Sequence, residues 1–583
     1  HLDDVVSTDQ FIQIERQLSI IKCLRQIGLE IISFLASLED FQKKLWLKKK
    51  FVVSAEYCIT LDRVDESLYT EIAGNTAQWQ QWEDLGFKGT DAGWGTVDYL
   101  KQYQALMVDT SLFSLEFKAE LLKRIDDLDA QTDGLIINSD NFQALNVLKQ
   151  KYKEKVKCIY IDPPYNTSAS EIIYKNGYKH SSWLSLMDNR IANSISHLAG
   201  DGLMQVAIDD QEYRYLNLLL EQNFGISNFI SSISIEHNAK GIPQNHISAT
   251  HEYLLMYAKN IEAVKTYDFT IDEDGLDQKY PLVDKNGKYR ELPLTRTGSE
   301  PLREDRPYMF FPFLYKDGEL ALIPEDEYKK IYDPKENKFN DEFVDQLKNK
   351  YEADGYQFIL PKNSKGIFYR WKWGIESCKK GLLDDELVFR NNTIYNKNRV
   401  DNKVKPKSLW SNSKYDATSK GTRVLGNLFN NKLFDYPKSI FAVIDALTIG
   451  SDNKSLVLDY FAGSGTTAHA TIALNREDNG NRKYILVEQG EYFDTVIKPR
   501  IQKVVYSADW KEGKPTNPES GISHCLKVVK LESYEDTLNN LELVRKGAQQ
   551  TLLAEQQAST KPEDHNAYSD YLMHYMLELE SKD

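Results

Sequence analysis

No run of eighteen or more apolar residues occurs in the 583-residue sequence, so no stretch of it is expected to cross a membrane as a helix. Cysteine is scarce. The five present, Cys23, Cys58, Cys158, Cys378 and Cys525, are scattered and form no CxxC, which argues against a disulfide framework and against a zinc site, and points to a reducing compartment. The start, HLDDVVSTDQFIQIERQ, has no basic stretch followed by a short apolar one, so no signal peptide is expected. The missing initiator Met and the abrupt YMLELESKD suggest that both ends are trimmed. There is no GxxxxGK[ST] loop, no helicase acid box and no nuclease cluster, and HEYLL at 251–255 is not HExxH, so the expectation for metal is none.

A net charge of −15 excludes a uniformly basic nucleic-acid coat, yet the distribution is uneven. Between Arg390 and Lys438 eleven basic residues stand against three acids, interleaved with Tyr395, Trp410, Tyr415 and Phe429. That mixture suits a phosphate backbone with rings beside it; the competing reading is a solvated charged surface. Apolar content of 41% is enough for real cores.

From about residue 114 the pattern alternates between helix and strand: SLEFKAELLKRIDDLDAQ reads as one amphipathic helix and GLIINSDNFQALNVLKQKY as strand, turn and helix. KVKCIYIDPPY follows as a strand, then a helix at 181–198, a strand at 201–210 and a helix at 212–224. This is the signature of a parallel sheet with helices on both faces. The alternation lapses from about 262 to 405 and then returns, as expected for a domain inserted between two halves of one sheet. Ile20, Leu24, Ile27 and Ile31 sit at helical spacing near the start.

Two stretches carry chemistry. In CIYIDPPYNTSAS an apolar strand ends on Asp162, and Pro163 and Pro164 then remove two backbone donors and fix φ, so that Asp162 and Tyr165 are held rigidly. A rigid turn with a capping aspartate is the plainer reading. In VLDYFAGSGTTAHATIA a strand runs into Gly463-Ser464-Gly465 and a helix opens at Thr466 or Thr467, presenting free N–H groups and positive potential. The third glycine of GxGxxG is missing. Glu488 ends the next strand, where an acid can accept from ribose hydroxyls, or be an ordinary strand-end acid.

DPPY at 162–165 with FAGSG at 461–465, in that order and with an insert between them, resembles the permuted β group of DNA amino-methyltransferases. GLIINSDNFQALNVL, HSSWLSLMDNR, VAIDDQEYRYLNLLLEQNFGISNFI and THEYLLMYAKN extend the likeness to the modification (Mod) subunit of type III restriction-modification systems. The resemblance implies an α/β fold, a Rossmann-like S-adenosylmethionine (SAM)-dependent methyltransferase sheet in permuted motif order, with an inserted α+β target-recognition domain. The expected domains are a helical or mixed N-terminal region (1–112), the first methyltransferase half (113–261), the recognition domain (262–405), the second half (406–530) and a C-terminal helical region (531–583), incomplete at its end.

The resemblance further implies methylation of adenine N6 in double-stranded DNA by base flipping and direct transfer. Asp162 and the Pro163 carbonyl would accept the amine's hydrogens, with Pro164 stiffening the corner and Tyr165 stacking on the base. SAM would meet Asp459, Phe461, Ala462, Gly463, Ser464, Gly465 and Thr466, with its ribose on Glu488 and its adenine near Asp140 and Asn141. Asp140 also reads as a helix N-cap. Lys438 is expected either on the SAM carboxylate or in the DNA-facing stripe. Arg296, Arg303, Arg306, Arg370, Lys397, Arg399, Lys405 and Lys407, with the aromatic GIFYRWKWG at 366–374, are candidates for DNA contact. A Mod homodimer, a separate restriction subunit and a prokaryotic cytoplasm, beside the nucleoid, complete the implied setting. The alternatives are N4-cytosine methylation, a recognition subunit with an inactive methyltransferase site, or a nucleotide-dependent oxidoreductase that leaves DPPY without a task.

Overall fold

The computed structural model of the chain describes residues 8–48, 50–88, 93–166, 179–241, 246–270, 273–400, 403–431, 433–435 and 437–533. The chain divides into two compact units, a larger one from 1–267 and 406–583 and a smaller one from 268–405.

The larger unit is built on a sheet whose strands, in chain order, are β1 (Val52–Thr60), β2 (Met107–Asp109), β3 (Gly134–Asn138), β4 (Val156–Ile161), β5 (Leu198–Ile208), β6 (Phe229–Glu236), β7 (His251–Ala258), β8 (Leu409–Trp410), β9 (Leu456–Asp459), β10 (Lys483–Glu488) and β11 (Cys525–Leu531). Their order across the sheet is β8-β6-β7-β5-β4-β9-β10-β3-β11-β1-β2. From β5 to β11 the pairing is parallel, and the flanks are antiparallel apart from β8 on β6. The parallel strands are covered on both faces, which explains why VKCIYI reads as a nearly continuous apolar run. Lys157 is the exception, and its ammonium reaches the Asp201 carboxylate at 2.7 Å.

Helices α1 (Thr8–Leu47), α2 (Asn141–Tyr152), α3 (Lys179–Ile195), α4 (Tyr213–Phe224), α5 (Ile440–Gly450), α6 (Thr466–Asp478) and α7 (Ile497–Tyr506) accompany the sheet in the larger unit. Leu145, Leu148, Trp183, Met187, Ile191, Leu216 and Leu220 of α2, α3 and α4 share one core with Ile159, Ile161, Val206, Leu458 and Val487 of the strands. On α5, a Cβ at Gly450 would lie 2.7 Å from Cys158 Sγ, so only glycine lets this helix settle on the strands. Helix α1 behaves differently: Ile20, Leu24, Ile27, Ile31 and Phe34 are 47–63% exposed along one stripe.

The smaller unit is α+β. Antiparallel strands at 282–284, 287–293, 387–390 and 393–399 form one sheet, and 313–316, 319–322 and 357–359 another. Helices at 341–353 and 375–383 pack with them around Leu294, Phe311, Phe313, Trp371 and Ile394. Residues 269–270 pair with 403–404, so the two ends of this unit lie side by side.

Three sequence expectations need correction. The boundary placed after residue 112 falls inside the larger unit, because VVSAEYCIT, with the β-branched and aromatic content of a strand, pairs as β1 with β11. The helix expected over 114–131 is two short ones, 115–123 and 128–131, broken where Asp127 takes φ +46 and caps the second through the Ala130 N–H. Residues 262–267 stay with the larger unit, where the Tyr267 N–H donates to the Ile449 carbonyl. The C-terminal helical expectation falls on 534–583, outside the described residues; before them, Leu531 closes β11.

Candidate active site

The two chemical stretches, 300 positions apart in sequence, leave neighbouring strands. Strands β4 and β9 are parallel, with Cys158 beside Val457 and Ile159 beside Leu458. Continuing that register sets Asp162 at the level of Phe461, on strands roughly 4.8 Å apart. Chain direction also diverges here: β4 leads through α3 to β5 on one side, and β9 through α6 to β10 on the other. A crevice at the carboxyl ends of such a pair is where open α/β sheets place ligands. An open cleft of about 2230 Å³ occupies it, lined by Asp162, Pro163, Pro164 and Tyr165 together with Asp459 through Ser464, Thr466 and Glu488.

At the β4 exit, Trp183 Nε1 donates to the Pro164 carbonyl at 2.7 Å, which fixes the second proline from α3. Asn166, with φ +57, donates to the fully buried Glu212 at 2.6 Å. Tyr165 Oη donates to Glu252 Oε2 at 3.0 Å. The Lys438 ammonium donates to both Tyr165 Oη and Glu252, lies 4.4 Å from the centre of the Tyr165 ring, and sits 3.4 Å from Asp162 Oδ1. Burial pushes the Asp162 carboxyl upward, and the Lys438 charge opposes it. Burial also disfavours the Glu252 carboxylate, but Lys438 holds it below the usual range.

At the glycine loop, Gly463 (φ +51) and Gly465 (φ +81) occupy left-handed backbone that other residues reach only with strain. Both oxygens of Asp459 serve this loop: Oδ1 accepts from the Phe461 N–H at 3.0 Å and Oδ2 from Thr467 Oγ1 at 2.5 Å. Burial pushes the Asp459 carboxyl up to about 7. Glu488 clamps the loop from β10, accepting from the N–H groups of Gly463 (2.9 Å), Gln489 (3.0 Å) and Gly490 (2.9 Å). Below it, the buried Arg500 of α7 donates to the Ser464 carbonyl (3.1 Å), Ser464 Oγ (2.8 Å) and Thr466 Oγ1 (3.0 Å). Asp140 caps α2 through the N–H groups of Phe142 and Gln143 and pairs with Arg190 at 3.1 Å; Asn141 joins Arg190 to the Tyr460 carbonyl. A glycine turn open to the cleft, a strand-end acid and the aromatic edges of Phe461 and Tyr492 fit a nucleoside-bearing ligand with an amino-acid tail.

Lys438 thus lies against Asp162, Tyr165 and Glu252, in the same cleft as the glycine turn. The aim of the DNA candidates changes. Arg303 is bidentate to Asp341 (2.6 and 3.0 Å) among three phenylalanine rings, and Arg370 is buried and donates to the Glu300 carbonyl. Lys397 and Arg399 converge on Asp284, with Asp385 and Glu386 as second partners. These four are committed inside the smaller unit, because acids distant in sequence come to face them. Arg296 rests on Ser299 and Arg306 on Glu300 at its surface, while Lys405 and Lys407 are exposed, each in its own unit. Trp371, Trp410 and Tyr415 are buried. Glu252, Arg190, Arg500 and Glu212 were not singled out from sequence; acids and arginines at strand and helix positions otherwise apolar were the available signal.

The DNA methylase family model matches residues 156–498. The chain is 32% identical over 393 residues to the type II methyltransferase M.KpnI of Klebsiella pneumoniae, covering 65% of this chain and 85% of that one. It is 31% identical over 431 residues to the EcoPI Mod subunit of a type III restriction-modification enzyme from Escherichia phage P1, covering 64% and 62%. To the probable HindVI Mod subunit of Haemophilus influenzae it is 26% identical over 448 residues, covering 71% and 57%. The chain spans about three fifths of the length of the Mod subunits it matches. With the family model covering more than half of its residues and M.KpnI matched over most of its length, the chain belongs to the DNA methylase family.

Proposed function

We propose that this chain is a site-specific DNA methyltransferase that moves a methyl group from SAM to adenine N6, as the modification and recognition subunit of a type III system. The observation that carries the reading is the shared cleft between the Asp162 corner and the Gly463–Gly465 turn. SAM bound there supplies a methyl group activated by a positively charged sulfur.

The chain's own residues do the rest by positioning and charge. Asp162 and the Pro163 carbonyl accept the two hydrogens of the amine, and so turn its lone pair toward the donor. The new N–C bond would form at that lone pair as the methyl group's bond to the donor sulfur breaks, the sulfur keeping the electron pair and leaving as a neutral thioether, and one amine proton would then pass to water. A base inside a duplex cannot reach this corner, so it is flipped out at a cost of a few kcal/mol, against which stacking on Tyr165 returns about 1–3 kcal/mol. Gly463 and Gly465 admit the amino-acid end of the donor, and Asp459, Glu488 and Arg500 keep that loop in shape.

Sequencing that detects modified bases, applied to DNA from cells expressing the chain, should find N6-methyladenine in one sequence context. N4-methylcytosine would correct the base, and an unmodified genome would favour a recognition subunit with an inactive site. Asp162→Ala should lower transfer by about 10²-fold or more while SAM binding survives. A type III assembly also predicts copurification with a restriction subunit; methylation without one would make this a type II modification enzyme. For the homodimer, the supporting observation is the exposed stripe Ile20, Leu24, Ile27, Ile31 and Phe34 on α1, spaced alternately by four and three as in a coiled-coil seam. Leu24→Glu with Ile31→Glu should convert a dimer to a monomer in light scattering.

A further inference from the structure

The methyltransferase reading gives tasks to Asp162 and Tyr165 and leaves two buried charges beside them without one. Glu252 is the second residue of β7, an acid in a strand that is otherwise mostly apolar, with its side chain 7% exposed. Lys438 precedes α5 by two residues, and its side chain is 13% exposed. Burying such a pair is costly unless each charge is matched and hydrogen-bonded, so their presence asks for a purpose.

We propose that Lys438 and Glu252 are positioning residues for the methyl-transfer corner: the ammonium keeps Asp162 a carboxylate and pins Tyr165, while Glu252 takes up the ammonium so that it does not close onto Asp162. This inference rests on the methyltransferase reading.

The geometry is asymmetric in the required sense. Lys438 donates to Glu252 and to Tyr165 Oη and pairs more loosely with Asp162 Oδ1, at 3.4 Å, so Asp162 feels the charge without being the ammonium's nearest partner. Tyr165 is held at two points on its hydroxyl, as donor to Glu252 and acceptor from Lys438, and by the cation beside its ring. Two carboxylates and one ammonium leave the corner one net negative charge, the sign that suits an amine becoming positive.

Other elements facing this corner carry groups that do not substitute for Lys438. Burial keeps the Tyr160 hydroxyl on β4 protonated and pushes the Asp459 carboxyl on β9 up to about 7, so neither supplies a positive charge. Asp209 at the end of β5 is pushed by burial to about 6, and His237, just after β6, is disfavoured as a cation by burial. Removing Lys438 would therefore leave Asp162 facing Glu252 with like charge, and one of the two would bind a proton.

The test is methyl transfer to DNA by the full chain between about pH 6 and about pH 10, with SAM binding measured in parallel by calorimetry. Lys438→Met should move the acid limb of kcat upward by about one pH unit or more and lower kcat near neutrality by about 10²-fold, with SAM Kd changed less than about threefold. Lys438→Arg should restore most of the limb's position. Glu252→Gln should lower kcat at every pH without raising the limb. A Lys438→Met enzyme that binds SAM about tenfold more weakly with an unmoved limb would make Lys438 a donor ligand and overturn the proposal, as would unchanged kcat in both variants. Asp162 ionisation, read by infrared difference against Asp162→Asn, should shift upward in Lys438→Met whether or not DNA is methylated; an unshifted titration sinks the proposal. Wild-type chain that transfers no methyl group at all fails the methyltransferase reading instead.

Discussion

At Asp459 a single carboxylate does structural work in an environment that resists its charge. Its ordinary pKa is 3.8 and burial raises it to about 7 in the folded chain. The unfolded chain thus releases this proton near pH 4 and the folded chain near neutrality. Between those values the folded state holds the extra proton, so stability falls as pH rises through that window, by on the order of 4 kcal/mol at this site. Asp459→Asn keeps an acceptor for the Phe461 N–H and removes the titration. The variant should flatten the fall in Tm between about pH 4 and about pH 7 by a few degrees, as calorimetry would read. The sequence placed Asp459 beside the donor, and the structure finds both its oxygens already serving the loop. The same gap between residue type and use appears at Arg303 and Arg399. Both were legible as arginines in a basic insert, but their partners Asp341 and Asp284 lie 38 and 115 positions away in sequence.

Elements were more legible than individual roles. Strand β4, helix α2 and the glycine turn follow from apolar runs, an N-cap and paired glycines, all local signals. What local signals cannot carry is how one loop holds another. Gly421 is the buried residue of a helical turn, 418–422, and a Cβ there would lie 2.3 Å from the Pro437 carbonyl oxygen and 2.9 Å from that of Lys438. The turn therefore fixes the backbone that presents Lys438 to the Asp162 corner. Gly421→Ala should cost roughly 1–3 kcal/mol of stability and, by displacing Lys438, lower methyl transfer about tenfold or more. Chemical denaturation and a radiolabelled transfer assay would check both; full activity in a stably folded variant would show that Lys438 needs no such anchoring.

For the whole molecule, the smaller unit begins and ends on one antiparallel pair, residues 269–270 with 403–404, whose Cα atoms lie about 5 Å apart. Replacing 271–402 by a short flexible linker should leave the larger unit folded and SAM Kd within about threefold, while specific methylation falls by about 10²-fold or more. Loss of SAM binding would mean that the larger unit depends on the smaller for its fold.

The fold class, the strand-helix alternation, the insert and the two chemical stretches were set by local pattern: apolar period, prolines that stiffen a strand exit and glycines that permit a turn. The tertiary structure alone decided that β4 and β9 lie side by side, that β1 and β2 extend the sheet, that four of the basic candidates turn inward, and that Lys438 faces Asp162. The physical reason is that the pairing of charges and the adjacency of strands depend on contacts between residues tens to hundreds of positions apart, and residue order along a chain does not encode such distances locally.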